Sequence, residues 1–523
     1  MLKSPLKPLL AATALLALLP GTAAALEGVA ATYAEHCAAC HGGDRLGAIG
    51  PALLPDNLGR LKPAEAAKVI AEGRAATQMP AFSDKLDAQQ VKELTAFIYK
   101  APDSNPQWGE ADIKGTHVVH KTRDELPAKP VFASDPLNLF TVVEAGDHHV
   151  TILDGDKMEP LARFQSRFAL HGGVKYSPDG RFAYFASRDG WISVYDLYSL
   201  QTVAEVRAGI NTRNIAVSAD GRFVAAGNTL PRTLVILDAK DLSLIKVMPV
   251  ANKKGESARV SAVYSAPPRQ SFVVALKDIP EIWEIATNDD APPVYTGLVH
   301  SYEKGLEEGV AESAGRFALR RTEMAEPLDD FFFSDDYSAV IGASRDGAQG
   351  TVINLDARRK EAGLDLPGMP HLGSGISWML DGRRVMATQH LKGSTISVID
   401  MQDWKTIKRI DSLGPGFFLR SHESTPYAWA DAMLSPKKDT MAIIDKRTLE
   451  IVRTITPEPG KTAAHVEFTR DGRYALVSVW EDDGALVIYD AATFEEVKRL
   501  RMRKPVGKYN VYNKITLSEG TSH

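Results

Sequence analysis

The chain has 523 residues, with 61 lysines and arginines against 66 aspartates and glutamates, a formal net charge of −5. That balance excludes the concentrated basic footprint of a nucleic-acid binder. With 44% hydrophobic residues, 40 glycines and 30 prolines, the composition suits more than one folded core and many turns, and the length suits two domains.

Residues 1–25, "MLKSPLKPLLAATALLALLPGTAAA", carry Lys3 and Lys7, an apolar run and a closing Ala-x-Ala. This is the pattern of a secretory leader, cleaved near Leu26 or Glu27. The uninterrupted apolar run is shorter than the roughly 18 residues that a membrane span needs. No later segment is apolar enough to cross a bilayer, so the mature chain is expected in the periplasm, with no membrane span.

Both cysteines of the chain fall in "EHCAACHGGD", at Cys37 and Cys40, with His41 directly behind. That spacing suits two thioether bonds to a haem, with the imidazole of His41 beneath the iron. A thioredoxin-like redox pair is the other reading of Cys-x-x-Cys, but it lacks a βαβ context here and has no need of the histidine. Apolar periodicity near 28–36, 64–73 and 88–99 predicts three helices around a loop-rich middle. Met79, in "ATQMPAF", lies in a proline-containing turn where a loop can fold back over the haem, and is the candidate sixth ligand. A cytochrome c domain is therefore expected over 26–101, followed by a polar linker over 102–130.

From residue 131 the sequence repeats. Turn motifs such as "SPDGR", "SADGR", "SDDYS", "MLDGR" and "TRDGR" precede apolar strands. Together with weaker copies they begin at 134, 177, 218, 265, 334, 379, 424 and 469, at intervals of 43, 41, 47, 69, 45, 45 and 45. Units of 40–50 residues built from four short strands are propeller blades, and eight of them close a ring. The expected fold is thus multidomain: an all-α cytochrome c domain followed by an all-β eight-bladed propeller over 131–523. A β-sandwich array fits the short regular interval poorly. The long interval contains "SYEKGLEEGVAESAGRFALRRTE", read as a rim insertion near 300–325, and the terminal "GKYNVYNKITL" is strand-like enough to complete the first blade.

The register of the turns also places side chains. Positions six to eight before a turn aspartate open the innermost strand, which lines the channel, and His371, ten before Asp381, is taken with them. Counting back from Asp179, Asp381 and Asp471 gives His171, His371 and His465, so three imidazoles are expected at one mouth. Arg213 and Asn214 open the third blade's inner strand and Asp329 and Asp330 the fifth's, while Arg188 and Lys277 end second strands that reach the same rim. Imidazoles and guanidiniums together suit an iron macrocycle bearing carboxylates. His390, His422, His148 and His149 fall outside this register or in the weakest repeats and are read as ordinary structural histidines.

The stretch from "YAEHCAACHGGD" to "ATQMPAF", with "FALHGGVKYSPDGRFAYFASRDGW" and "GKYNVYN", resembles the cytochrome cd1 group over nearly the whole mature chain. The resemblance implies a covalent haem c held through Cys37, Cys40, His41 and Met79, and a non-covalent haem d1 or dihydro-haem d1 in the propeller with His171 as proximal ligand. The group contains nitrite reductase, which keeps two distal histidines over an open iron, and a branch that oxidises dihydro-haem d1 to haem d1 during cofactor assembly. His371 matches one distal histidine; the other falls near Asp329–Asp330 and is missing. His465 sits where a histidine caps the iron in the second branch, and the mature chain is expected to lack a long N-terminal arm.

These departures favour the oxidising branch. Two electrons and two protons would leave a propionate, giving an acrylate, with His371 as base and Arg213 and Arg188 anchoring carboxylates. Nitrite reductase would be the recipient of the finished cofactor, and a periplasmic acceptor would take the electrons. A cofactor carrier and a nitrite reductase are the alternatives.

Overall fold

The computed structural model describes residues 21–48, 50–59, 61–74, 79–170, 173–296, 310–344 and 349–522. Its first unit is helical. Helices span Gly21–His36, Pro63–Glu72 and Ala88–Tyr99, with short turns at Ala38–His41 and Pro55–Leu58. The third helix starts where Asp87 accepts the amide of Gln90 at 2.8 Å while the Gln90 side chain accepts the Asp87 amide at 2.9 Å, a reciprocal cap that satisfies two otherwise orphaned donors. Val91, Leu94 and Ile98 recur at helical spacing and bury against Tyr33, Leu58, Ile70 and Phe82.

Eight four-stranded units follow, each antiparallel. Their repeated motif has a visible cause. The Ser218 hydroxyl donates to the turn carboxylate of Asp220 at 2.6 Å and accepts the amide of Phe223 at 2.9 Å, and Thr469 repeats this with Asp471 and Tyr474. Gly180, Gly221 and Gly472 complete such turns at φ of 74°, 70° and 71°, where a side chain would be strained. The strand Pro505–Asn510 pairs with Leu139–Glu144 and so supplies the inner strand of the first blade from the far end of the chain, as the terminal sequence suggested. Hydrophobic clusters lie between neighbouring blades; one joins Tyr184, Val194 and Val206 of blade 2 to Val224 and Val235 of blade 3.

Two stretches differ from their expected shapes. Residues 102–130 carry a helix at Glu110–Gly115 and a short strand at Val118–Val119 that adds to the outer edge of blade 2. Ile113 is fully buried in that blade's core with Trp108 and Leu126 packed beside it, so a few apolar residues dock a stretch that reads as polar. The 301–323 insertion is also shorter than its sequence suggested: Leu319–Glu323 pairs with Glu281–Ala286 as the outer strand of blade 4. Val294–Thr296 and Val310–Ser313 form the extra hairpin. Leu319 packs on the blade core, which is why the "FALRRTE" segment belongs to the propeller.

The helical unit sits on the propeller at blades 2 and 3. Arg207, nearly fully buried, donates to the carbonyls of Gly47 (3.2 Å) and Leu46, and its guanidinium lies 4.5 Å from the Trp108 ring. Ala52 and Leu54 pack on Ile210, and Asn57 donates to the Ile210 carbonyl at 3.2 Å.

Candidate functional site

A single cavity of about 2540 Å³ runs from the helical unit into the propeller mouth. On one side it is lined by Cys37, Cys40, His41 and Met79, and on the other by Arg213, His371, Arg420 and His465.

The first side has the donor set of a c-type haem. Cys37 and Cys40 are not joined in a disulfide. His41 is buried, and its Nδ1 donates to the Pro51 carbonyl at 2.8 Å, which leaves Nε2 as the ring's lone-pair nitrogen. Burial holds this imidazole below its ordinary pKa, in the neutral form that ligates a metal. Two glycines make room. A Cβ at Gly50 would meet His41 Cε1 at 2.8 Å, and one at Gly73, whose φ is 75°, would meet the Met79 carbonyl at 2.9 Å. Arg74 N donates to that same carbonyl at 3.1 Å, which ties Met79 to the end of the preceding helix.

On the propeller side His465 interrupts the inner strand of blade 8. The pairing with the next strand shifts between Ala464 and Val466, and His465 itself has φ of 52°. This is a bulge, which re-aims a side chain out of the ladder. Its carbonyl accepts Lys508 Nζ, itself 2.9 Å from Ser478 Oγ. His465 is 1% exposed, and neither ring nitrogen has a hydrogen-bond partner among the described residues. Burial first, then the charges of Lys508, Arg420 and Lys514, press its pKa well below the imidazole range. A buried, neutral imidazole with two idle nitrogens on a cavity wall is costly as mere packing and suited to a metal.

His371 lies in the turn before the inner strand Ile376–Leu380 of blade 6, slightly ahead of the position its register gave. Its Nδ1 donates to the Phe417 carbonyl at 3.0 Å, and the rings of His371 and Phe417 lie 3.9 Å apart. Burial, reinforced by Arg213 and opposed by Asp330, pushes the imidazole down to about 4. Arg213 reaches the cavity with its Nε on the Ser261 carbonyl at 2.7 Å, and Arg188 lines the same space. Lys277 pairs with Asp329 at 2.8 Å, so its charge is engaged within the protein. His171 lies outside the described residues; Leu170 and Gly173 both line the cavity.

Several residues escaped the sequence reading. Arg420 is 3% exposed, with Nη1 on its neighbour's carbonyl and Nε unpartnered. Lys175, Lys508 and Lys514 gather near it, their ammonium groups all pushed down by burial, Lys175 to about 8. Among the described residues Asp330, Asp431 and Glu467 are carboxylates that face this group. Tyr264 donates to Asp330 at 2.9 Å. The one available signal was a lysine inside the otherwise strand-like "PVGKYN": a charge in an inner strand marks either a register error or a pocket. Arg420 sits in the weakest repeat and gave no signal. His390, by contrast, has both ring nitrogens engaged, by Pro367 and by Ser397 at 2.9 Å, as an ordinary structural histidine does.

A c-type haem unit seated against a propeller whose mouth offers an idle buried imidazole and the guanidiniums of Arg188, Arg213 and Arg420 defines a two-haem protein. The comparisons agree. Residues 134–514 match the family described as "Cytochrome D1 heme domain", and residues 24–98 match "Cytochrome C oxidase, cbb3-type, subunit III". The chain belongs to the cytochrome d1 haem domain family. It is 56% identical to the dihydro-heme d1 dehydrogenase of Pseudomonas aeruginosa over 94% of this chain and 95% of that protein. It is 26% identical to a nitrite reductase of Stutzerimonas stutzeri over 92% and 91%, and 28% identical to the protein NirF of Pseudomonas aeruginosa over 71% and 90%. A solved structure of dihydro-heme d1 dehydrogenase NirN in complex with DHE superimposes with a TM-score of 0.87 at 56% identity, covering 93% of this chain and 99% of that one.

Proposed function

We propose that this chain oxidises dihydro-haem d1 to haem d1. A propionate side chain loses two protons and two electrons, and a carbon–carbon double bond forms between its methylene carbons to give the acrylate. The reading rests on similarity to the dihydro-heme d1 dehydrogenase and on one structural observation: the cysteine–histidine haem crevice and the propeller mouth with Arg213, His371, Arg420 and His465 open on the same cavity. A haem c there supplies a one-electron acceptor beside the substrate.

The chain's own groups divide the remaining work. His465 offers a neutral nitrogen to the macrocycle's iron, with His171 proposed for the opposite face. Arg213 and Arg188 take carboxylates and so orient the saturated side chain. His371 is the proton acceptor: because Nδ1 carries the proton given to the Phe417 carbonyl, the neutral ring's lone pair is on Nε2. The rings of Phe417 and Phe418, 3.9 and 6.4 Å from that of His371, set apolar surface beside it. Nitrite reductase is the proposed recipient of the product, and a periplasmic acceptor takes the electrons from haem c. The leader-like sequence over 1–25 supports a proposed periplasmic location, and among the described residues no helix is long and apolar enough to cross a membrane.

Nitrite reduction is the weaker reading, because Asp329 and Asp330 stand where a second distal histidine is expected. Anaerobic incubation with dihydro-haem d1 and an artificial electron acceptor decides between the roles: a macrocycle lighter by two hydrogens supports the dehydrogenase, unchanged bound macrocycle supports a carrier, and nitric oxide from nitrite supports the reductase.

A further inference from the structure

The two imidazoles of the propeller mouth share a support that is not itself on the cavity. Residues 417 and 418 form a dipeptide whose parts touch both rings. The Phe417 carbonyl accepts His371 Nδ1 at 3.0 Å, while the Phe418 ring centroid lies 4.7 Å from that of His465. What fixes this dipeptide is Asp431, 2% exposed. Its Oδ1 accepts the Phe417 amide at 2.9 Å and the Met433 amide at 3.2 Å, and its Oδ2 accepts the Phe418 amide at 2.7 Å. The clamp is closed from the His371 side as well: Gln389 Nε2 donates to the Phe418 carbonyl at 2.6 Å, and the Gln389 carbonyl accepts the His371 amide at 2.9 Å. A Cβ at Gly416 would lie 2.2 Å from Gln389 Oε1 and 2.3 Å from the Asp431 carbonyl, so a glycine is required for this approach.

A carboxylate that accepts two consecutive backbone amides sets the plane of the intervening peptide, and with it the direction of the Phe417 carbonyl. That carbonyl is an acceptor with no proton to give, so the ring nitrogen facing it must be the protonated one. We propose that Asp431 is a positioning residue that locks His371 as the Nδ1–H tautomer, presenting the Nε2 lone pair to the substrate, and at the same time seats the Phe418 ring against His465. Its use in turnover rests on the dehydrogenase reading; the tautomer does not. The cost of holding this carboxylate so deep shows in its pKa, which burial pushes up to about 6 despite the three amides.

The test uses full-length, haem c-loaded protein with the haem reduced and its histidines labelled with ¹⁵N, compared with Asp431→Asn, Phe417→Leu and, for assignment, His371→Gln. Two-bond ¹H–¹⁵N correlation spectra report which ring nitrogen of His371 carries the proton. The expected result is a single Nδ1–H tautomer in the wild type and in Phe417→Leu, which keeps the carbonyl, and a mixture in Asp431→Asn, whose amide retains one acceptor oxygen. In turnover, Asp431→Asn lowers kcat about tenfold, part of what a positioned base contributes, with KM changed less than threefold. An Nε2–H tautomer in the wild type overturns the proposal without any variant, and so does an unshifted tautomer in Asp431→Asn. A shifted tautomer with undiminished turnover supports the clamp and removes His371 from the dehydrogenase mechanism instead.

Discussion

The guanidinium of Arg207, on blade 2, donates across 3.2 Å to the carbonyl of Gly47, six residues beyond His41. The loop that follows the haem-binding motif is thereby fastened to the propeller by a buried charge whose pKa burial lowers and Asp189 supports. Hydrogen bonds from buried charged groups contribute about 1.5–3 kcal/mol each.

Arg207→Ala is therefore expected to leave both domains folded and haem c attached, while slowing electron delivery to haem c by about tenfold or more in rapid mixing. That factor corresponds to roughly 1.4 kcal/mol, the low end of a lost charged hydrogen bond. Arg207→Lys restores little, because an ammonium cannot reach two carbonyls from one plane and stack on Trp108.

His465→Ala removes the idle buried imidazole. Protein loaded with haem d1 is expected to change from a six-coordinate to a five-coordinate absorption and paramagnetic-resonance signature. Added imidazole should restore the former by filling the space left by the ring. An unchanged signature would assign the iron to other residues.

For His371 the pH dependence carries a sign. Its folded pKa, about 4, lies below the ordinary 6.5, so the neutral ring stabilises the fold above pH 6.5, and this is lost as pH falls through 4. The wild type should lose on the order of 2 kcal/mol over that window, a figure reduced because the half-buried ring borders the cavity. His371→Gln should lack that slope in denaturant titrations at a series of pH values, and should bind dihydro-haem d1 without converting it.

Arg213→Ala tests the anchoring of carboxylates. Losing one charge-assisted contact of about 1.5–3 kcal/mol weakens binding of dihydro-haem d1 by roughly 10- to 100-fold, read by spectral titration. The haem c spectrum should be unaffected, since Arg213 lies on the propeller wall.

Much of this was legible before any coordinates. The turn motif was legible because at Ser177, Ser218, Ser334 and Thr469 the hydroxyl bridges an aspartate two residues on and an amide five residues on, a local chemistry that recurs in sequence, while the other four blades followed from the spacing. The candidate haem c ligands were legible because a haem dictates the Cys-x-x-Cys-His spacing, and the structure brings Cys37, Cys40, His41 and Met79 to one cavity. His371 and His465 followed from register, although the turn before Ile376 and the bulge at His465 shifted each from its simple count. Arg420, Lys175 and Lys514 were not legible, since a cation's burial depends on which blades meet around the axis. Asp431 was hidden for a further reason: it acts through backbone amides, which carry no sequence signature.

Single-turnover mixing of dihydro-haem d1 with excess oxidised protein, without oxygen or added acceptor, tests the dehydrogenase reading most directly. Two haem c groups should be reduced for each haem d1 formed, with both absorbances rising together. Haem d1 formed while haem c stays oxidised, or macrocycle bound and left saturated, would contradict it.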